Sequence, residues 1–390
     1  MAQDIKVFGS LSELIEALEI EGIKGLDRIR HIENFLMRKS RLHGRPYCAS
    51  FELTPLCNFD CKMCYMHLTE AQLEKQGRIL TTEEWLDIAR QAVDAGVANV
   101  DLTGGECLTH PGFEDIYRYL AGRGVRVAVL TNGQLLNEHH IELFKKYPPA
   151  GVQISLYGSC PEAYRRVTGR DAFRHVINAI ELLKAAGIRI RLSVTPNKYM
   201  QDDAESLLDL IYSLNVDYSI GRSTLPARPE TGREIKDYIV DNEAFIRMCR
   251  YDDQCHTARI DKSGIKPSER YEFMIKGQES FEGVPCSAGA ATFHINWKGE
   301  MAPCVAYFTV TRSVLNYSLE EAWIWIRDTM KQYREPDECR DCAWHNDCQG
   351  CCAEKSAGVL NGPVNPWVCK RMNGLAEIIN KGDDKHEACI

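Results

Sequence analysis

Between residues 48 and about 220 the sequence switches six times from a short β-branched or apolar run to a longer stretch with apolar residues at helical spacing. Consecutive strands can lie parallel only if a crossover, usually a helix, carries the chain back to the start of the next strand. The pattern therefore predicts an α/β fold of βα units around a parallel sheet. Strands are expected at 49–53, 99–103, 125–130, 151–156, 189–194 and 217–220. Helices are expected at 82–95, 113–122, 136–147, 161–186 and 203–215, with Thr81, Asn137 and Asp202 available as caps.

Such folds place their chemistry at the carboxyl ends of the strands. Here the first strand runs into Cys57-Asn58-Phe59-Asp60-Cys61-Lys62-Met63-Cys64, three thiols spaced C-x3-C-x2-C. The second is followed by Thr103-Gly104-Gly105-Glu106, the third by Thr131-Asn132-Gly133, the fourth ends around Ser155, and the fifth meets Thr195-Pro196-Asn197. Thiolate sulfur selects zinc or iron–sulfur clusters; a structural zinc takes four protein ligands, whereas a cubane can leave one iron open. His67 follows Cys64 closely enough that a Cys3His zinc site also fits the loop, and a Gly-Gly-Glu taken alone is an ordinary turn.

Taken together, the three-thiol loop and the Gly-Gly-Glu after the second strand make residues 48 to about 220 resemble the core of the radical S-adenosylmethionine (SAM) enzymes. The resemblance implies a partial (β/α)6 barrel, with Cys57, Cys61 and Cys64 holding a 4Fe–4S cluster whose fourth iron is chelated by the amino and carboxylate groups of SAM. Reductive cleavage of SAM to methionine and a 5′-deoxyadenosyl radical, which takes a hydrogen from substrate, is the chemistry it implies. Gly104 and Gly105 would let backbone approach the ligand, and Glu106 would accept from its ammonium. By the same resemblance Met63 contacts adenine with Tyr65 beside it, Asn132, Ser155 and Thr195 meet the ribose, and Arg165 or Arg166 pairs with the SAM carboxylate. Cys107 stands where a proline is frequent in the family.

The last hundred residues change character. Cys286-x12-Gly299-x4-Cys304, then Cys339-x2-Cys342-x5-Cys348-x3-Cys352 and finally Cys369 resembles the seven-cysteine pattern of the SPASM extension. That implies two auxiliary 4Fe–4S clusters: Cys339, Cys342, Cys348 and Cys369 close one, and Cys286, Cys304 and Cys352 hold the other. Its fourth place is left to Cys249, Cys255 or Cys351, or to substrate. A zinc ribbon on Cys339, Cys342, Cys348 and Cys351 or Cys352 is the alternative.

The organisation expected is a helical extension over 1–47, the core over 48–221, a bridge over 222–285, the auxiliary-cluster segment over 286–373 and a tail over 374–390. The extension is read as two helices, at 10–19 and 26–40, and the bridge carries helical patches at 241–250 and 269–276. Seventeen cysteines in clusters, behind an opening that is not a secretory signal, point to metal chemistry in the cytoplasm rather than disulfides. A net charge of −8 without a basic stripe gives no nucleic-acid footprint, and no apolar run is long enough to span a membrane. The SPASM resemblance implies modification of a ribosomally made peptide by crosslinking, oxidation or epimerisation, with an electron donor such as flavodoxin or ferredoxin. The extension is too short for a fused leader-recognition domain, so a separate recognition protein or direct binding is expected. Val305-Ala306-Tyr307-Phe308 after Cys304 lacks the acid that sulfatase maturases carry there. Dehydrogenation of a small alcohol or sugar is the second reading, and a non-catalytic iron–sulfur or zinc scaffold the third.

Overall fold

The computed structural model describes residues 6–221, 224–263, 273–275, 283–343, 345, 348 and 350–372. The described chain opens with strand β1 (Lys6–Phe8) and helices α1 (Leu11–Ile20) and α2 (Gly25–Leu42). Ser10 caps α1 by accepting from the Glu13 N–H at 3.3 Å, and Phe8, Leu14, Leu18 and Phe35 form a small core of their own. The sequence pattern announces both helices but not β1, which pairs in parallel with Phe273–Ile275. Those residues correct the helical patch expected at 269–276: three apolar residues form a strand there, and the rest of the patch lies outside the described residues.

Six βα units follow in the order β2 (Cys48–Glu52), α3 (Glu70–Gln76), α4 (Thr82–Asp94), β3 (Asn99–Thr103), α5 (Phe113–Gly122), β4 (Arg126–Thr131), α6 (Glu138–Lys146), β5 (Gly151–Ser155), α7 (Pro161–Thr168), α8 (Phe173–Ala185), β6 (Ile190–Val194), α9 (Ala204–Leu214) and β7 (Asp217–Ile220). The strands lie side by side in chain order and all parallel. Thr81 and Glu84 form a reciprocal capping box on α4, and Asn137 caps α6. Two expectations change. The helix expected at 161–186 is two helices, because Gly169 turns left-handed (φ 71°) and ends α7. The residue flanking α9 is Asp203 rather than Asp202, and its carboxylate accepts from the backbone and hydroxyl of Ser159 (2.7 and 2.5 Å) instead of capping the helix.

Strand order without reversal, combined with right-handed crossovers, puts every helix on one face of the sheet. The register shows the consequence. Ala49, Phe51, Val100, Leu102, Val127, Val129, Val152, Ile154, Leu192 and Val194 are buried against the helices, as in the Phe51–Trp85 ring contact at 5.4 Å. The alternate positions, facing away from the helices, are mostly polar: Ser50 lies beside Asp101, Glu52 beside Thr103, Gln153 beside Arg191, and Ser155 beside Ser193 and then Ser219, with Ala128 and Leu130 of β4 the apolar exceptions between them. Parallel strands buried on both faces would read apolar throughout, so this alternation marks a face that meets solvent or ligand.

The remaining elements are α10 (Asn242–Ser263), β8 (Phe273–Ile275), β9 (Thr292–Ile295), β10 (Glu300–Ala302), β11 (Arg312–Ser313), α11 (Leu319–Met330), α12 (Asp337–Arg340) and α13 (Cys352–Lys355). Strand β9 adds in parallel to the free edge of β2, pairing Ala49 with Phe293 and Phe51 with Ile295, and β10 and β11 continue antiparallel. One nine-stranded sheet therefore runs from the cysteine-rich segment through the βα units. Among the described residues no helix is long and apolar enough to cross a membrane.

Candidate functional site

The loop after β2 is shaped by backbone contacts rather than by its cysteines. The Asp60 and Lys62 N–H groups donate to the Thr168 and Val167 carbonyls at the end of α7 (3.2 and 3.0 Å). Arg233 reaches in from the bridge, donating to the Cys61 and Cys64 carbonyls (2.9 and 3.1 Å) and to the Asp60 carboxylate (2.6 Å). Buried Phe59 packs edge-on against Tyr164. So folded, the loop turns its thiols toward one another. Burial pushes Cys57 up to about 12 and raises Cys61 and Cys64, and charge on Cys64 and Cys57 raises Cys61 further. Backbone N–H groups of Phe59 and His67 donate to the Cys57 and Cys64 sulfurs, each at 3.3 Å. The His67 ring is turned to Asp60, 3.6 Å away. Among the described residues no three His, Cys, Asp or Glu side chains close tightly enough round one point to hold a single metal ion. A cubane makes no such demand, because each thiolate binds a separate iron.

Gly104 and Gly105 are dictated by this loop. A Cβ on Gly104 would stand 2.7 Å from the Thr54 carbonyl oxygen, and one on Gly105 would run into the Leu56 carbonyl. The close approach lets the Gly105 and Glu106 N–H groups donate to the Thr54 and Leu56 carbonyls (2.7 and 3.0 Å), locking the two strand ends together. The glycines thus serve a close contact between two backbones.

Glu106 is completely buried and accepts three hydrogen bonds, from the Thr131 hydroxyl (2.8 Å), the Asn132 N–H (2.7 Å) and the Leu108 N–H (3.1 Å). Burial still raises its pKa against those donors. Asn132 links this carboxylate to the cysteine loop: its side-chain amide donates to Asn58 Oδ1 (2.7 Å) and lies 3.7 Å from the Cys57 sulfur. Cys107 is buried with its thiol directed at the Leu130 carbonyl (3.3 Å), the position of a small packed side chain.

Ser155 and Thr195 meet through a residue the sequence pattern did not single out. Tyr157 lies beside both and feels the charge of Cys61 and Cys64, so it sits between the strand ends and the thiols. Its signal was present but weak: it lies two residues beyond Ser155, where strand alternation returns to the same face. Met63 is buried in the loop, and Tyr65 lies near Glu52, Arg228, Cys64 and Tyr157. Arg165 and Arg166 are not brought in; both are exposed on α7, and Arg166 donates to the Tyr199 carbonyl (3.0 Å). The buried arginine beside the site is Arg228, which grips Glu52 through two bonds (2.7 and 2.6 Å) and stands 5.8 Å from the Tyr65 ring centre. No local pattern could announce a pair 176 residues apart.

In the cysteine-rich segment the Cys286 and Cys352 thiols are near enough for each to affect the other's charge, and Cys304 feels the charge of Cys351 and Cys286. Cys369 feels Cys348 and Cys342, and Cys339 feels Cys369 and Cys348, so these four form a second group. Lys355 interacts with thiols of both groups. The Tyr307 hydroxyl, beside Cys352, Cys286 and Cys304, is buried without a partner at hydrogen-bonding geometry.

A one-sided parallel βα sheet that gathers three thiols, a buried glutamate and polar strand ends at its carboxyl edge is suited to iron–sulfur chemistry on a bound small molecule. Residues 51–211 match the Radical SAM superfamily. AlbA of Bacillus subtilis (strain 168), the antilisterial bacteriocin subtilosin biosynthesis protein, is 30% identical over 271 residues, 67% of this chain and 55% of AlbA, so the match spans about half of that relative. The AdoMet-dependent heme synthase of Methanosarcina barkeri (strain Fusaro / DSM 804) is 26% identical over 339 residues, 80% of this chain and 93% of the synthase. Streptococcus suis SuiB bound to its precursor peptide SuiA shares the fold with a TM-score of 0.61 at 18% identity, over 88% of this chain and 84% of SuiB. Residues 51–211 therefore form a radical SAM domain, and with that family go a 4Fe–4S cluster and SAM.

Proposed function

We propose that the chain is a SAM-cleaving enzyme that modifies a ribosomally made peptide by crosslinking, oxidation or epimerisation. The observation that carries the reading is Asn132, whose backbone holds the Glu106 carboxylate while its side chain lies on the Cys57 sulfur. One residue thereby fixes the acceptor for an ammonium group relative to the thiols that would hold the core cluster. Cys57, Cys61 and Cys64 ligate three irons in this reading, and Glu106 receives the SAM amino group. Met63 and Tyr65 line the adenine side, Asn132, Ser155 and Thr195 hold the ribose, and Tyr157 ties the last two together. Bound there, the cluster and SAM supply the reductive cleavage that generates the hydrogen-abstracting radical. The protein's own part is to keep those groups dry and fixed. Cys339, Cys342, Cys348 and Cys369 hold one auxiliary 4Fe–4S cluster and Cys286, Cys304 and Cys352 the other; the unpartnered Tyr307 hydroxyl supports the second, since cluster sulfur would give it an acceptor. Peptide as substrate class is supported by the names of AlbA and of the SuiB complex. The enzyme works in the cytoplasm with an electron donor such as flavodoxin or ferredoxin, and the peptide is recognised either by a separate protein or by direct binding.

Anaerobically reconstituted chain supplied with dithionite should release 5′-deoxyadenosine from SAM. Replacing Cys57, Cys61 and Cys64 with Ala should abolish release, and undiminished release from that variant sinks the reading. Co-expression with short cysteine-, threonine- or asparagine-rich open frames encoded nearby should yield a peptide of altered mass. If none is altered while a small alcohol is oxidised, the substrate class is wrong and the cleavage chemistry stands.

A further inference from the structure

Acids on the open face of the sheet and at its carboxyl edge are held by protein groups: Glu52 by Arg228, and Glu106 by three donors. Asp101, midway along β3, is the exception. Burial alone acts on its carboxyl and lifts it to about 6, with no donor and no neighbouring charge acting on it among the described residues. The side chain is nevertheless exposed. A carboxylate that water reaches while protein surrounds it lies on the floor of a concavity. The register accounts for the hollow. Asp101 stands between Ser50 of β2 and Ala128 of β4, and Gly151 of β5 comes next. Ser50 has its hydroxyl 3.3 Å from His294 Nδ1, and Ala128 and Gly151 raise only one methyl group between them, so space opens on that side. Basic residues flanking the hollow are committed elsewhere. Arg126, two residues before Ala128, pairs with Glu33 of α2, and Arg189, whose stem passes Gly151, turns its guanidinium to Asp217 (3.4 Å). Within strands β2 to β6, only Asp101 and Arg191 are exposed on this face.

We propose that Asp101 is a specificity-determining residue of the open face: its carboxylate receives a cationic group of the peptide, either a lysine or arginine side chain or the terminal ammonium. Its placement suits the role. Thr103, two residues further along β3, opens the turn to Glu106, so Asp101 lies about 7 Å deeper than the strand ends assigned to SAM. A substrate cation there offsets what burial costs the carboxylate and displaces no protein partner. With Arg191 three strands away, the face carries one exposed charge of each sign, which sets the direction in which a peptide lies across it.

This inference rests on the reading that a peptide is the substrate, and the test separates the two. The anaerobically reconstituted full chain, saturated with SAM, is titrated calorimetrically with short acetylated, amidated alanine–glycine peptides carrying one central lysine, arginine, norleucine or glutamate. An unacetylated norleucine peptide supplies a terminal ammonium. The lysine or arginine peptides, or the unacetylated one, should bind about tenfold tighter than acetylated norleucine. Which of them gains assigns the source of the cation. Asp101→Asn should erase the preference, and Asp101→Lys should turn it toward glutamate. No preference in the parent, or one that survives in Asp101→Asn, overturns the inference. Should neither variant fold, carbodiimide labelling of the parent decides: protection of Asp101 by the cationic peptides supports the site, and equal labelling with and without them overturns it. Release of 5′-deoxyadenosine by the parent is read in parallel. Release without a cationic preference removes this inference and leaves SAM cleavage standing, whereas an Asp101-dependent preference without release keeps the cation site and overturns the reading as a SAM-cleaving enzyme.

Discussion

Gly105 shows how one missing Cβ can set an active site. Its N–H donates to the Thr54 carbonyl and its Cα faces the Leu56 carbonyl, so any side chain must drive the Glu106 turn away from the cysteine loop. Gly105→Ala should cost about 1–3 kcal/mol, the range for forcing a methyl into packed structure. It should also lower core-cluster iron, because Asn132 is held by Glu106 and reaches Cys57; unchanged iron and stability in this variant would contradict that coupling. A second residue-scale prediction concerns Glu52. Burial alone would raise its pKa, but Arg228 and His294 outweigh it and hold the carboxylate at about 2, below its ordinary 4.5. A depressed carboxylate contributes stability that is fully present above 4.5 and is lost as pH falls toward 2. Urea midpoints should therefore fall between pH 5 and pH 3 in the parent and fall less in Glu52→Gln. Arg228→Met, which strands the charge, should cost about 3–5 kcal/mol near neutrality. The thiols, Glu106 and the strand-end polar residues were legible in the sequence because each follows a strand in an ordered pattern. Arg228 and Arg233 were not, since they enter the site through distant packing that leaves no periodic trace; Tyr157 showed only weakly, through the alternation beyond Ser155, and Arg165 and Arg166 lie outward because helix α7 presents its basic pair to the exterior.

At the scale of elements, strand β9 joins the cysteine-rich segment to the core. Its Phe293 and Ile295 extend the apolar face begun by Ala49 and Phe51, while His294 stands 3.2 Å from the Glu52 carboxylate on the other face. Two segments sharing one sheet and one core should unfold together. Ile295→Ala, at a fully buried position, should cost about 2–5 kcal/mol and shift two signals by the same interval: far-ultraviolet circular dichroism and the visible absorbance of the clusters. Separate shifts would mean that the segment folds on its own. The six βα units were legible because hydrophobic period changes at nearly every boundary. The break at Gly169 was not, because Gly169 sits between two runs of the same helical period and only its left-handed backbone separates them. Nor was the pairing of β1 with β8, whose three-residue strands are too short to show alternation.

For the whole molecule, a sheet wound in one direction has one face sealed by helices and one left for function. Ser50, Asp101, Gln153, Arg191, Ser193 and Ser219 lie on that second face, and Arg191 is exposed there between Gln153 and Asp217 in register. Residues at the carboxyl edge, such as Ser155 and Thr195, are shared with the SAM site of the proposal, whereas Arg191 lies deeper along the strand and away from the thiols. Loss of a group that meets substrate equally before and during reaction raises KM without lowering kcat. Arg191→Ala should accordingly raise the KM for peptide several-fold while leaving substrate-free release of 5′-deoxyadenosine and thermal stability nearly unchanged, as befits an exposed side chain. Thr195→Val should instead lower substrate-free release as well, because it removes a hydroxyl beside Tyr157 at the strand ends assigned to the cofactor. If Arg191→Ala lowers substrate-free release as much as Thr195→Val does, the polar face belongs to SAM binding rather than to substrate, and the division of the sheet into a cofactor edge and a substrate floor fails.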